Sequence, residues 1–372
     1  MTSSLRLGRV LGISIGVHWT WFLIFVLLAF SLAGHYFPTL HPGWPSTSYW
    51  ALSIITSLLF FASVLAHEMA HSLVSRRYGV PVRGITLFFF GGVAEISREV
   101  DRPGEELMMA LAGPCTSLVI ATIFGFLWFI SPVVSPELHA LAGWLGWINL
   151  GVGLFNLIPG FPLDGGRVLR AIVWWVTGDF RRATLIASTL GRAVAYLFIV
   201  AGLWQVFAGN WANGLWIAFI GWFLENAATS GYRQVAVREA LLGVTAQEVM
   251  MTDCPRIPRN LTLAKLVYEK ILRTSRRCFP VVEEGRVLGI ITLHHVKRVP
   301  QDRWAIMTVG EVMTSFDRLK KVEPDEELLR VMELMTEEDV NQLPVVREGR
   351  LLGMVARDNV LQFLRMRAEL GI

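Results

Sequence analysis

One segment constrains this chain more than any other: residues 50–74, where FFASVLAHEMAHSLV sets His67, Glu68 and His71 inside an otherwise apolar run. Its length matches the roughly 20 helical residues that cross a hydrocarbon core of about 30 Å. Lipid offers no hydrogen bonds to the backbone, so such a segment must be helical. Ionisable groups are costly there and turn toward a protein interior or a water-filled cavity. Positions i and i+4 of a helix lie one above the other, which brings the two imidazoles close enough to share a Zn²⁺, with Glu68 placed to act as a base on water. The competing reading is a set of mutually hydrogen-bonded polar residues that hold helices together. The rarity of the spacing and its apolar setting favour the metal.

The rest of the chain divides in two. Hydrophobic residues fill 53% of the 372 positions and charged residues 17%, too oily a mixture for a soluble enzyme of this size. All of the 14 Trp except Trp304 fall in the first roughly 230 residues, together with six apolar stretches near 17–33, 50–74, 107–130, 139–158, 190–208 and 214–228. Arg6 and Arg9 precede the first stretch; Arg76, Arg77, Arg83, Arg98 and Arg102 follow the second. Arg167, Arg170, Arg181 and Arg182 follow the fourth, and Arg233 and Arg238 the sixth. The alternate loops near 34–49, 131–138 and 209–213 contain no Lys or Arg. This alternation predicts six spans of a multi-pass cell-membrane protein with both termini cytosolic. No small-residue cleavage site follows the first run, which reads as a retained anchor. The net charge of +4 comes from Arg scattered beside apolar segments, so orientation in a membrane explains it better than a nucleic-acid partner, and none is expected. Cys115, Cys254 and Cys278 lack CxxC spacing, which predicts neither a disulfide framework nor a thiolate metal site.

Between the second and third stretches, PVRGITLFFFGGVAEI gathers β-branched and aromatic residues around Gly91 and Gly92. This predicts a β-hairpin at the interface or lining a protein-walled cavity, because a bare strand edge cannot face lipid. The alternative is a surface loop dipping among the headgroups. After residue 245 the chain repeats with a period of roughly 64. Val249-Met250 answers Val312-Met313, Phe279-Pro280-Val281-Val282 answers Leu343-Pro344-Val345-Val346, and Gly289 answers Gly353. Each copy reads as helix, strand, Gly-turn, strand, helix, so the two copies are expected to pair across a shared core. These landmarks resemble a tandem pair of cystathionine-β-synthase (CBS) domains. The expected organisation is a membrane domain over 1–231, a linker over 232–244, and CBS repeats over 245–300 and 307–367. The fold class is thus a multi-pass α-helical membrane domain with a membrane-associated hairpin, followed by an α+β CBS pair.

Catalytic zinc needs a third protein ligand and an open position. Asp164 is the candidate, in NLIPGFPLDGGRVLRA, where Pro159, Gly160, Pro162, Gly165 and Gly166 must break a helix. From local sequence it reads equally as the N-cap of the helix that follows. HExxH in one span, Gly113 and Ser117 in a later one, N-x-x-P-x-x-P-L-D-G from Asn156 to Gly165, and a CBS tail together resemble the site-2 protease family of intramembrane zinc metalloproteases. The resemblance covers nearly the whole chain. It implies that His67, His71 and Asp164 hold one Zn²⁺, that Glu68 is the general base, and that Asn156 contacts the substrate or the tetrahedral intermediate. It also implies that the substrates are single-span membrane proteins, cut within or near their transmembrane segment. A substrate helix must unwind to expose its carbonyls, and an edge of the hairpin offers β-augmentation to the unwound segment.

CBS pairs commonly bind adenosine nucleotides through a carboxylate and a preceding hydroxyl, and often dimerise. Thr292 and Asp358 are the candidate contacts, whereas His295, Asn359 and Ala356 depart from the pattern. A structural or homodimerising pair therefore stands beside a nucleotide sensor. Glu225 reads as a solvated carboxylate near a helix end in preference to a gating group. His294 and His295 are adjacent and make a poor metal pair, and Met250, Met251 and Met313 read as packing residues. The main alternative function is a CBS-regulated transporter or channel, but the membrane part shows no internal repeat. A purely structural metal would leave Glu68 without a use.

Overall fold

The computed structural model describes residues 4–89, 91–96, 100–274, 276–284 and 286–370. Two compact units divide it, Met1–Val235 and Ala236–Ile372.

The first unit opens with strands where only the approach to a helix is expected. β1 (Ser4–Val10) and β2 (Ile13–His18) form an antiparallel hairpin in which Val10 pairs with Ile13. The intervening Leu11 and Gly12 both have positive φ, at 51° and 79°, the conformation that two-residue hairpin turns demand. β2 then runs parallel to β3 (Val82–Phe88), which pairs with β4 (Gly91–Ile96), giving the order β1-β2-β3-β4. The expected hairpin is therefore half of a four-stranded sheet. Its Gly pair does not form the turn: Gly91 and Gly92 sit inside β4 opposite Phe88 and Leu87. Ile13, Ile15 and Ile85 bury against Met69 of the HExxH helix, so the sheet packs on the segment that carries the histidines.

The helices follow the apolar stretches. α1 (Trp19–Ser31) continues through a π-turn into α2 (Phe37–Leu40), α3 is Ser46–Arg77, α4 is Pro103–Ile130 and α5 is Pro136–Asn156. After the predicted break come α6 (Asp164–Thr177), α7 (Phe180–Phe207) and α8 (Trp211–Leu241). Pro103 and Pro136 stand in the first turns of α4 and α5, where the missing N–H has no helical partner to lose, and the Asp179 side chain caps α7 by accepting from Arg182 N. Among the described residues five helical rods are long and apolar enough to cross a membrane: Trp19–Leu40, Ser46–Arg77, Pro103–Val133, Pro136–Asn156 and Phe180–Phe207. The sixth expected stretch lies within α8, where Asn213, Glu225 and Asn226 dilute the apolar run. α4 packs against α3, α5 and α6 and is the hub of the helical layer.

The second unit corrects the expectation of one shared core. β5 (Ile257–Pro258), β6 (Cys278–Glu283), β7 (Arg286–Thr292) and β8 (Thr314–Ser315) form one sheet, and β9 (Gln342–Arg347) pairs with β10 (Arg350–Ala356). Two apolar cores result, and each takes its opening segment from the other copy. Val309 of the second copy is buried with Phe279, Val281 and Ile291 of the first, while Ala246 and Val249 of the first are buried with Leu328, Val345 and Val355 of the second. Reciprocal backbone bonds between Met251 and Met354, at 2.8 and 2.9 Å, fasten the crossing. Met313 and Met250 pack on Gly289 and Gly353, as equivalent pairs in the two copies.

Such crossing makes each copy's stability depend on the other's sequence. Val309→Ala is expected to lower the stability of the core around Phe279 by about 1–3 kcal/mol. Amide hydrogen exchange should report it as faster opening at Ile290 and Ile291 with little change at Val345 and Val355.

Candidate metal centre

His67 and His71 lie one turn apart on α3, both buried at 5% exposure, with their Nε2 atoms 3.2 Å from each other. The Asp164 Oδ2 is 3.1 Å from the first and 3.2 Å from the second. Asp164 opens α6 immediately after the broken segment, and that segment is held by backbone-to-backbone contacts. Phe161 N donates to Ala187 O of α7, and a Cβ on Gly165 or Gly166 would come within about 2.4 Å of the carbonyl groups of Leu157 or Gly160. Only glycine fits there. The N-cap residue of α6 is Leu163, with no side-chain cap, and Asp164 aims its carboxylate at the imidazoles rather than at the amides of its own helix.

The outer ring nitrogens are engaged. His71 Nδ1 donates to the Met109 carbonyl at 2.6 Å, and His67 Nδ1 is 2.9 Å from Ser117 Oγ. A carbonyl can only accept, so a neutral His71 carries its proton on Nδ1 and turns a bare Nε2 lone pair toward His67 and Asp164. That lone pair, His67 Nε2 and a carboxylate oxygen stand 3.1–3.2 Å from one another and form a donor set that one cation can share. The donor set fits Zn²⁺. Tetrahedral ligands at about 2.0–2.1 Å from zinc stand roughly 3.3 Å apart, and an imidazole–imidazole–carboxylate trio leaves a fourth position open. Space for an ion is also kept. A Cβ on Gly113 of α4 would fall 2.1 Å from His71 Nε2 and 2.5 Å from His67 Nε2, so any larger residue would fill the place where the donors converge. The two α4 residues singled out in the sequence thus have distinct tasks: Gly113 leaves room and Ser117 holds His67.

Glu68 lies against β4, since a Cβ on Gly92 would come within 2.4 Å of Glu68 Cγ. That close approach explains a glycine inside the strand, where sequence suggested a turn. Asn156 ends α5 and its side-chain amide donates to the Val152 carbonyl of the same helix at 3.0 Å, so the structure does not join it to the three donors. Two features escaped the sequence reading. Arg170, counted above among the orienting charges, is 7% exposed and donates through Nε and Nη2 to the fully buried Glu106 of α4. Arg192 of α7 lies 3.6 Å from Glu225, which also accepts from Thr229, so the partly exposed Glu225 carboxylate is paired as well as solvated.

In the second unit, Thr292 caps the helix after β7 and shares a capping box with His295, whose Nε2 is 3.0 Å from Thr314 Oγ1. Burial holds the His295 imidazole below its usual pKa. Asp358 is exposed in the first turn of the helix after β10. The two candidate contacts thus stand near the start of the equivalent helices, two positions out of register, and the Thr292 hydroxyl is already engaged.

A family model described as Peptidase family M50 matches residues 55–137 and 131–200, and the CBS domain model matches 246–302 and 309–366. A protein of Synechocystis sp. named as a candidate zinc metalloprotease is 35% identical over 373 residues, spanning 99% of this chain and 97% of its own. The candidate zinc metalloprotease Rip3 of Mycobacterium tuberculosis is 33% identical over 368 residues, 98% of this chain and 93% of its own. The solved site-2 protease of Methanocaldococcus jannaschii is 30% identical, covering 61% of this chain and 94% of its own at a TM-score of 0.42.

The geometry sets a test on α4. Gly113→Ala is expected to bring metal content from about one ion per chain to near zero, because the new methyl occupies the convergence point. Gly125→Ala on the same helix, where a Cβ meets nothing within 4 Å, should leave it unchanged; atomic absorption on the purified chains reads both.

Proposed function

Because the chain belongs to peptidase family M50, the site-2 proteases, and is a membrane zinc metalloprotease with a tandem CBS pair, we propose that it hydrolyses single-span membrane proteins within or near their transmembrane segment. The convergence of His67, His71 and Asp164 on one point in the apolar layer, with Glu68 beside it, carries this reading. In this proposal those three residues hold the zinc. When bound, Zn²⁺ supplies Lewis-acid polarisation of a peptide carbonyl and lowers the pKa of water toward about 7. Glu68 takes the proton of the attacking water and returns it to the leaving amine. Met109 O fixes the His71 tautomer and Ser117 orients the His67 ring through both events. Asn156 contacts the substrate or the tetrahedral intermediate after its amide leaves the Val152 carbonyl.

Substrate presentation follows from the sheet. β4 is its terminal strand, and Gly92 brings the β4 backbone against Glu68. An unwound substrate segment that adds to β4 as a fifth strand would have its peptide groups satisfied and its carbonyls beside the base. The Arg distribution supports a reading with both termini, and the water supply, on the cytosolic side. The CBS pair is read as a regulatory or homodimerising module with weak affinity for an adenosine nucleotide through Asp358 and Thr292.

Glu68→Gln is expected to keep full zinc while turnover drops by about 10²–10⁴ or more, and Asp164→Ala to lose the zinc itself. Full metal and normal cleavage in Asp164→Ala would move the third ligand elsewhere. A substrate span containing Gly or Pro should be cut faster than a uniform poly-Leu span, because less helix must be undone; equal rates in one detergent contradict the unwinding step. Calorimetric titration of ATP and AMP into the CBS pair should give weak heats that Asp358→Ala removes. No heat at all assigns the pair a structural or dimerising role.

A further inference from the structure

α4 contributes no metal-binding side chain, yet one stripe of it faces the whole centre. Glu106, Met109, Gly113 and Ser117 recur at helical spacing, and all are buried. Ser117 bonds His67, the Met109 carbonyl bonds His71, and Gly113 leaves the space between them. The fourth member, Glu106, bonds the helix that carries Asp164. Its Oε1 accepts from Arg170 Nε at 2.7 Å and from Nη2, and its Oε2 has no hydrogen-bond partner among the described residues, so α6 is the attachment of this carboxylate. Arg167, one turn closer to Asp164, has its Nε 3.9 Å from the same oxygen. The Arg170 guanidinium also sits over the rings of Phe161, in the broken segment, and Phe180, at the start of α7, with centroids at 5.0 and 4.7 Å.

We infer that Glu106 and Arg170 are positioning residues for the third metal ligand: the pair fixes the azimuth and depth of α6 against α4, and so sets where the Asp164 carboxylate meets the two imidazoles. The inference rests on the reading of His67, His71 and Asp164 as the zinc ligands. Asp164 needs such a device more than the histidines do. They share one helix and keep their spacing automatically, whereas Asp164 arrives from a separate helix through a segment without regular hydrogen bonding. A carboxylate displaced by a fraction of an ångström loses ligation, and contacts behind metal ligands commonly govern affinity by about 10–100-fold.

The test uses the full-length chain with Arg170→Met, Arg170→Lys, the double variant Glu106→Met/Arg170→Met, and Asp164→Ala as reference. Three quantities are read: zinc affinity by chelator competition, thermal stability of the metal-free chain, and kcat against KM. Arg170→Met strands a buried carboxylate and is expected to lower both stability and zinc affinity. The double variant removes the stranded charge, so metal-free stability should recover, because paired apolar replacements of buried ion pairs are tolerated. Its zinc affinity should nevertheless stay about 10–100-fold down, with kcat reduced and KM within about twofold. Arg170→Lys keeps the charge without the two-pronged donor and should fall between Arg170→Met and the unaltered chain. A stable double variant that binds zinc as tightly as the unaltered chain overturns the inference and reduces the pair to a helix staple. Unchanged zinc affinity in Asp164→Ala sinks the ligand assignment itself and the positioning role with it.

Discussion

The membrane unit depends on one convergence. Two imidazole nitrogens and a carboxylate oxygen stand 3.1–3.2 Å from one another, an arrangement that freely rotating side chains would not keep. They cannot turn, because His71 is tied to the Met109 carbonyl, His67 to Ser117, and Asp164 begins a helix whose glycines are wedged against the preceding backbone. The protein holds three donors at one point ready for a cation, which is the physical content of a preorganised metal site. It also explains why the surroundings are dense in residues without side chains: rigid donors require backbone against backbone, and soft packing would let them drift.

The sheet solves a second problem within the same layer. Strands in an apolar region are admissible only when their edges are accounted for. The order β1-β2-β3-β4 leaves two edge strands, β1 and β4, and of these β4 is the one that lies beside Glu68. β4 is thus the edge strand that the proposed strand addition would use, and a strand edge is where an added strand can pair.

Legibility in the sequence followed the range of the interactions. The zinc-ligand candidates on α3 were readable because i,i+4 geometry is local, and the helix break before Asp164 because Pro and Gly act on their own backbone. The CBS repeat announced itself by self-similarity. What escaped were contacts whose partners are distant in the chain. The Glu106–Arg170 pair joins positions on two helices, and Arg170 was hidden among arginines read as orienting charges. β1 and β2 looked like a lead-in to the first span because β2 finds its neighbour only in β3, and the Gly91–Gly92 pair resembled a turn because the sequence does not reveal Glu68 standing opposite. The crossing of the CBS cores was illegible for the same reason: helical and strand propensities state what a segment becomes, not which copy it joins.

The parallel pairing of β2 with β3 also imposes an order on biogenesis. Val17 lies beside Leu87, so the amino-terminal hairpin emerges from the ribosome about 70 residues ahead of the strand that completes it. At the usual translation speed of roughly 5–20 residues per second that is a wait on the order of 4–14 s, during which α1 and α3 are synthesised. The hairpin therefore cannot gain its third strand until the helix bearing the histidines has been made. A chain stalled before β3 would expose a sticky two-stranded ribbon at the membrane, a natural handle for the machinery that removes unfinished membrane proteins.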